Sequence, residues 1–261
     1  MPAIRTNSST RHRARKSLGQ HFLMHARIAE RIVLTAHLSK DDIVLEIGPG
    51  TGILTRALLA RAKKVIAVET DAALVEKLKT LFSPEIANGH LQLIHDDIRN
   101  YSTFHAIASD MEYKVVTNIP YYLTGEILRM FLSAKHQPSS MTLLVQKEVT
   151  ERIARAKKES LLSLSVKAYG TPKYEFTVPR GAFVPAPKVD SAVLSIRNIS
   201  RTNFKDEKEE KRFFELLKAG FGQKRKKLSK NLKGSGADTI GLPENIRAED
   251  VALTDWLAMA R

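Results

Sequence analysis

The 261-residue sequence contains no cysteine, which excludes disulfides, cysteine-ligated zinc and cysteine nucleophiles together. It also lacks any run of about 18 uncharged apolar residues, the length that a membrane-spanning helix needs. The basic N-terminus is not followed by the continuous apolar segment of a secretory signal. We therefore expect a soluble, cytoplasmic protein that does not associate with membranes.

Acidic residues are scarce, with 28 Asp and Glu against 42 Lys and Arg, which gives a net charge of +14. Residues 1–27 and 216–234 contain no acid and carry 13 of these net charges. Acid-free basic segments are typical of proteins that bind a phosphate backbone, although a single charged run is more often a solvated surface. The second segment contains the candidate nucleic-acid-binding residues Lys224, Arg225, Lys226, Lys227 and Lys230.

The middle of the chain alternates short apolar runs with helical patterns, which is typical of βαβ units and a mostly parallel sheet. A later pair of apolar segments flanks a proline-rich loop and predicts a closing hairpin. The predicted strands are 43–47, 65–69, 91–95, 113–117 and 142–146, the predicted helices are 55–62, 72–82 and 125–134, and the hairpin strands are 174–178 and 191–197.

The end of the chain shows helical spacing without strand candidates. A polar stretch at 198–208 is predicted to be a linker, and helices are predicted over 213–221, 226–232 and 248–260. The sequence therefore predicts a basic extension (1–16), an α/β domain (17–198) and a small all-α domain (199–261).

A glycine turn follows the first predicted strand. Gly48, Gly50 and Gly52 form a G-x-G-x-G pattern, in which glycine lets the backbone approach a ligand closely. A dinucleotide fingerprint would continue with Gly or Ala at position 53, where this chain has Ile53. The turn thus predicts a nucleoside-like ligand but not the pyrophosphate of a dinucleotide.

Acidic residues follow the next two predicted strands. Glu69, 21 positions after Gly48, can accept hydrogen bonds from both ribose hydroxyls of an adenosine-like cofactor. Asp96 or Asp97 can accept a hydrogen bond from the exocyclic amine of adenine, although either could instead cap a helix. Three such features in order, each at the carboxyl end of a strand, predict S-adenosylmethionine as the cofactor and S-adenosylhomocysteine as the product.

Residues 118–122 follow the fourth predicted strand and suit chemistry on an amino group of adenine, which is a poor nucleophile. The side-chain oxygen of Asn118 and the main-chain carbonyl of Ile119 can each accept one amino hydrogen and so orient the nitrogen. Pro120 favours an extended Ile119, and Tyr121 offers a stacking face for a flipped base. The alternative is an Asn-Pro turn with two core tyrosines, which the position after a predicted cofactor strand makes less favourable.

These motifs resemble the KsgA-type rRNA adenine N6,N6-dimethyltransferases. The resemblance runs from about Ser17 to Leu232 and includes residues 17–23, the turn at Gly48, the motif at Asn118, and residues 146–149 and 183–191. His21 stands where many relatives have Asn, and Ala186 replaces a common proline. The family contacts to the cofactor fall on His21, Leu23, Gly48, Glu69, Asp97 and Asn118, with Gly50 in the same turn, and its second stacking aromatic falls on Phe183.

The resemblance implies an α/β fold, a Rossmann-like class I S-adenosylmethionine-dependent methyltransferase domain followed by the small all-α domain. It implies dimethylation of two adjacent adenines near the 3′ end of small-subunit rRNA, on a partly assembled ribosomal subunit, by a monomer.

Two alternatives share this fold. Erm-type methylases modify a large-subunit rRNA adenine, but residues 146–149, 188–191 and 221–227 follow the dimethyltransferase pattern. A non-catalytic RNA-binding or transcription factor would not require both Asn118 and Glu69. A metal is not expected, because His21 and His25, predicted to share a helix face, have no third ligand beside them.

Overall fold

The structure is a computed structural model that describes residues 20–100, 112–237 and 241–261. The predicted basic extension and the first residues of the motif at 17–23 lie outside the described residues. The strands are β1 (Phe22–Leu23), β2 (Ile43–Ile47), β3 (Lys64–Glu69), β4 (Leu91–His95), β5 (Lys114–Asn118), β6 (Ser140–Gln146), β7 (Thr171–Val178), β8 (Phe183–Val184) and β9 (Ser191–Arg197).

The main sheet of the described residues has the strand order β4-β3-β2-β5-β6-β9-β7. The first five of these strands are parallel, whereas β9 is antiparallel to both β6 and β7. The predicted parallel sheet and closing hairpin are therefore confirmed. The strand order reverses at β2, which has β3 on one side and β5 on the other, and open α/β sheets bind ligands in the crevice beyond the carboxyl ends at such a point.

Successive side chains of each central strand pack on opposite faces of this sheet. In β2, Val44 belongs to one hydrophobic cluster and Leu45 to the other, and in β5 Val116 and Val115 divide in the same way. These apolar side chains fill the core on both faces, as a parallel sheet covered on both sides requires.

The helices cover both faces and form the C-terminal part. The predicted helices 55–62, 72–82 and 125–134 are confirmed within a few residues, whereas the helices at 26–35, 83–87, 147–154 and 161–167 were not predicted. The helices are α1 (Ala26–Thr35), α2 (Ile53–Leu59), α3 (Ala72–Leu81), α4 (Ser83–Ala87), α5 (Thr124–Leu132), α6 (Lys147–Ala154), α7 (Leu161–Lys167), α8 (Glu207–Gly220), α9 (Leu228–Asn231) and α10 (Leu253–Ala260), with 3-10 turns at Tyr121–Leu123, Arg180–Ala182 and Ala248–Asp250.

The C-terminal helices pack around Trp256, which is fully buried on α10. Its ring stacks on Phe221 with 5.9 Å between centroids. A Cβ atom added at Gly220 would lie 2.3 Å from the indole, so only glycine permits this close approach. The predicted absence of strands in this part of the chain is confirmed for its described residues.

The stretch predicted to be a linker is packed instead. Phe204 is buried and contacts Phe213 edge to face, with 5.3 Å between ring centroids. Arg201 pairs with Glu210 at 2.9 Å and donates to the main-chain oxygens of Ser133 and Ala134, each at 2.8 Å. One apolar cluster therefore continues from the sheet into the C-terminal helices. The domain boundary at 198 stays a prediction.

Candidate active site

A pocket lies at the carboxyl ends of β2, β3, β4 and β5, where the strand order reverses. The N-terminal segment crosses beside it, because β1 pairs with β8 and Met24 donates its amide to Ala182 at 2.9 Å. Among the lining residues are all of the predicted cofactor contacts, namely His21, Leu23, Gly48, Gly50, Glu69, Asp97 and Asn118. The structure thus brings together residues that lie nearly 100 positions apart in the sequence.

The glycine turn has the backbone that its sequence predicts. Gly48 and Gly50 have φ values of +69° and +58°, a region that disfavours other residues. A Cβ atom added at Gly50 would lie 3.0 Å from the ring of Phe22, whereas one added at Gly48 would meet nothing within 4 Å. The main chain at Gly48 is therefore open to a ligand in the pocket.

Glu69 is buried at the end of β3 and binds the glycine turn. Its Oε2 accepts from the amide of Gly50 at 3.1 Å, and its Oε1 accepts from the amides of Thr70 and Asp71 at 2.9 and 3.0 Å. A carboxylate has about four lone-pair sites, so one remains, on Oε2, for a ribose hydroxyl. Glu69 therefore shapes the turn as well as facing the pocket.

The two aspartates after β4 have different surroundings. Asp96 accepts from the amide of Asp97 at 2.7 Å and from the side chain of Asn100. Asp97 forms an ion pair of 2.6 Å with Arg99, which also holds the pKa of the Asp97 carboxyl below its usual range. Asp97 is ionised at neutral pH and lies at the rim of the pocket.

Asn118 ends β5 with its amide group in a defined orientation. The Nδ2 atom donates to the main-chain oxygen of His21 at 3.2 Å, and since a carbonyl can only accept, this contact fixes which end is nitrogen. The Oδ1 atom is thereby left as an acceptor. Ile119 follows with its side chain buried, and Pro120 has φ and ψ of −53° and 129°. The extended conformation predicted for Ile119 stays a prediction.

Tyr121 lines the pocket, and both its hydroxyl and one face of its ring have partners. Its hydroxyl lies 2.7 Å from Ser191 Oγ, and the ring of His21 stacks on it at 5.6 Å between centroids. His21 Nδ1 donates to the main-chain oxygen of Pro185 at 2.7 Å. Phe183, the predicted second stacking residue, is only 2% exposed, belongs to the hydrophobic cluster under the N-terminal segment and is not among the lining residues.

The pocket wall is acidic. Glu46, Glu69, Asp96 and Asp97 all line it, and Arg99 is its one Lys or Arg among the described residues. Glu46 is 1% exposed and accepts from Thr55 Oγ1 at 2.7 Å, and its burial raises the pKa of its carboxyl to about 8. Glu46 is therefore mostly neutral at pH 7, and the acidic side chains of Glu69, Asp96 and Asp97 around the open glycine turn suit a cationic nucleoside, which is the chemical character of S-adenosylmethionine.

Among the lining residues that the sequence did not single out as site residues are Glu46, Arg99 and Tyr122. Glu46 lies within β2 and contacts Thr55, nine positions later in the chain. No sequence pattern indicates a contact at that spacing. Tyr122 adjoins a motif that was recognised, and its 59% exposure places an aromatic ring at the mouth of the pocket. The signal available in the sequence was a second tyrosine directly after the predicted stacking tyrosine.

The candidate nucleic-acid-binding residues surround α9 on the surface. Lys224, Arg225, Lys226 and Lys230 are exposed, whereas Lys227 is half-buried and pairs with Glu244 at 3.0 Å. Four of the five cations are thus available to an anionic partner.

The structure corrects the expectation that His21 and His25 share a helix face. His21 precedes β1, and His25 is the N-cap of α1, because the extended strand interrupts the helical spacing. Within the described residues, no group of three or more His, Cys, Asp or Glu side chains could hold a metal ion. No helix in the described ranges is long and apolar enough to cross a membrane.

The strand order, the glycine turn and the carboxylates at the strand ends define a Rossmann-like, S-adenosylmethionine-dependent methyltransferase. A family model described as ribosomal RNA adenine dimethylase matches residues 11–260. The chain therefore belongs to the ribosomal RNA adenine dimethylase family.

Individual relatives agree with this membership. Ribosomal RNA small subunit methyltransferase A of Dehalococcoides mccartyi (strain CBDB1) is 42% identical, with 94% of this chain and 86% of the relative covered. The protein of the same name from Clostridium perfringens (strain SM101 / Type A) is 35% identical over 94% of this chain and 89% of the relative.

Two crystal structures share the fold over almost the whole chain. The 23S rRNA methyltransferase ErmE has a TM-score of 0.73 at 25% identity, covering 92% of this chain and 98% of its own. A dimethyladenosine transferase from Plasmodium falciparum has a TM-score of 0.75 at 24% identity, covering 92% and 96%. The predicted fold class and family are thus confirmed.

Proposed function

We propose that this protein dimethylates the N6 atoms of two adjacent adenosines near the 3′ end of small-subunit rRNA, within a partly assembled ribosomal subunit. The observation that carries the proposal is the orientation of Asn118, whose Nδ2 is engaged by His21 while Oδ1 is left to accept from an adenine amine. The names of the relatives at 35–42% identity favour the small subunit.

The cofactor fits the acidic pocket. When bound, S-adenosylmethionine supplies a methyl group activated by its positively charged sulfur. Gly48 and Gly50 admit the ligand close to the main chain, Glu69 accepts from the ribose, and Asp97 accepts from the adenine amine. His21 and Leu23 close the pocket from the N-terminal segment.

The target adenine is positioned by residues 118–121. The Oδ1 atom of Asn118 and the carbonyl of Ile119 each accept one amino hydrogen, so the nitrogen lone pair is directed away from the ring plane. Pro120 favours an extended conformation at Ile119, which leaves that carbonyl free to accept, and the ring of Tyr121 provides a stacking face. The role of Phe183 as a second stacking face stays a prediction, because the described ring against Tyr121 is that of His21.

The rRNA backbone is the proposed partner of the exposed cations at 224–230. Phosphate neutralisation by Lys and Arg supplies most of the sequence-independent affinity for RNA. We further propose that the protein acts as a monomer in the cytoplasm, which light scattering and fractionation would test.

One experiment tests the activity. The protein is incubated with undermethylated small subunits, and separately with large subunits, in the presence of labelled S-adenosylmethionine, and the modified nucleotides are mapped. We expect dimethylated adenines in small-subunit rRNA only. Modification of large-subunit rRNA would support the Erm-type alternative, for which the fold shared with ErmE is the supporting observation. Absence of label from both would support a non-catalytic RNA-binding role.

A further inference from the structure

Arg99 lies at the mouth of the pocket and binds the carboxylate of Asp97. Its Nε atom lies 2.9 Å from Oδ1 and 3.1 Å from Oδ2, and its Nη2 atom lies 2.6 Å from Oδ2. The main-chain amide of Arg99 adds a contact of 2.9 Å to Oδ1. Arg99 alone thus supplies three N–H donors to this carboxylate, with the single Nε hydrogen shared between its two oxygens.

The guanidinium contacts both oxygens of the carboxylate, so an adenine amine that donates to Asp97 competes with it for their lone pairs. The side chains of Asp97 and Arg99 are 28% and 46% exposed, so water can solvate both when they separate. An ion pair this exposed changes an equilibrium constant by at most about fivefold. The carboxylate of Glu126 on α5 also attracts the guanidinium, which gives Arg99 an acidic neighbour when it leaves Asp97.

Arg99 is not needed to keep Asp97 charged. The guanidinium lowers the pKa of the Asp97 carboxyl, but an aspartate without any partner already titrates near 3.9, far below neutral pH. Removal of Arg99 would thus leave an ionised acceptor with more free lone pairs at the rim of the pocket.

We propose that Arg99 competes with the adenine of the cofactor for the carboxylate of Asp97, and so weakens cofactor binding in a salt-dependent way. The inference rests on the proposed function, since it takes Asp97 as the acceptor of the adenine amine. Arg99 is thereby an affinity-setting residue, although it makes no contact with the reacting atoms.

The test is calorimetric titration of the full-length protein with S-adenosylhomocysteine in the absence of RNA. Arg99→Leu should bind about two- to fivefold more tightly than the parent protein. The matched control is Arg129→Leu, which removes an exposed arginine of α5 and should leave the affinity unchanged. Added salt should strengthen binding to the parent protein relative to Arg99→Leu, because salt screens the competing ion pair.

A second ligand separates competition from a general change in the pocket. The S-adenosylhomocysteine analogue with unsubstituted purine in place of adenine has neither the amine nor an N–H on its six-membered ring, so it cannot donate to Asp97. Arg99→Leu should therefore not improve its binding. Equal improvement for both ligands would overturn the competition.

Asp97→Ala separates this inference from the proposed function. If Asp97→Ala leaves the affinity for S-adenosylhomocysteine unchanged, Asp97 is not the adenine acceptor and the proposed site is wrong at that residue. If Asp97→Ala weakens binding while Arg99→Leu has no effect or also weakens it, the competition is overturned and the proposed function stands.

Discussion

The pocket and the basic surface around α9 recognise their proposed ligands in opposite ways. In the pocket, Glu69 and Asn118 are each fixed by main-chain partners, so their remaining acceptor atoms point in set directions. Around α9, Lys224 and its exposed neighbours have long side chains on the surface, where charge and not direction decides affinity. Geometry therefore sets the chemistry in one region, and electrostatics sets the binding strength in the other.

The largest effect is expected at Asn118, where a substitution tests most directly whether geometry in the pocket determines the reaction rate. Asn118→Ala removes one of two acceptors for the target amine, and loss of a single preorganised group of this kind costs about 10²- to 10³-fold in rate. Single-turnover methylation at saturating cofactor should fall by that factor, while RNA affinity changes little. The control is Asn88→Ala in an exposed turn. A rate close to that of the parent protein would refute the proposed role.

Glu46 tests whether burial controls ionisation in the pocket wall. Its carboxyl has a pKa of about 8 in the folded protein and about 4.5 as an ordinary glutamate. The folded state thus retains a proton that the unfolded state releases, so this contribution to stability is full below pH 4.5 and is lost as the pH rises through 8. Glu46→Gln has no carboxyl to ionise, so its stability should not show this loss as the pH rises.

The corresponding measurement is the free energy of unfolding as a function of pH. Between pH 5 and 9, the stability of Glu46→Gln relative to the parent protein should rise by up to about 4 kcal/mol. Glu76→Gln, at an exposed position of α3, should show no such trend. Parallel curves for parent protein and Glu46→Gln would mean that Glu46 ionises normally.

Glu69 binds the glycine turn and is also the proposed acceptor for the ribose of the cofactor. Glu69→Ala should weaken binding of S-adenosylhomocysteine by about 1–3 kcal/mol, the range for losing hydrogen bonds to a charged group. It should also lower thermal stability, since the amides of Gly50 and Thr70 lose their acceptor. Glu69→Gln keeps one oxygen acceptor and should lose less affinity. Unchanged affinity in both variants, measured by calorimetry, would remove Glu69 from the cofactor site.

The sequence predicted those parts of the molecule that local patterns determine. The strand at 43–47 and the glycine turn after it were predicted because apolar runs and glycine spacing act within a few residues. The pairing of β1 with β8 joins residues about 160 positions apart and left no periodic signal in two-residue strands. The stretch at 198–208 looks polar along the chain, but Arg201 satisfies main-chain oxygens and Phe204 is buried.

The candidate site shows the same division. Glu69, Asp97 and Asn118 were predicted because each stands just after or at the end of a strand, where parallel topology collects side chains at one edge. The contact between Arg99 and Asp97 could not be predicted, because a charged residue two positions away can equally point into solvent. The raised pKa of Glu46 likewise depends on burial that only the packed sheet creates.

The smallest effect is expected at the basic surface, where RNA affinity and its salt dependence should change but cofactor affinity should not. Neutralising Lys224, Arg225 and Lys226 together to Gln should lower RNA affinity and reduce the slope of log affinity against log salt by about two units, since each phosphate contact contributes roughly 0.7 to 0.9. Lys227→Gln alone should change the slope little, because Glu244 already pairs with Lys227. Affinity for S-adenosylhomocysteine should not change in either variant.

Titrations at several salt concentrations distinguish this role from that of a solubilising surface. The matched control neutralises three exposed cations outside the basic segment, Arg61, Lys63 and Lys205, which removes the same net charge. If the slope falls equally in the control, total charge and not position governs RNA binding. If it falls in neither, the cations around α9 only keep the protein soluble. A fall confined to residues 224–226 means that these three side chains lie on the rRNA backbone.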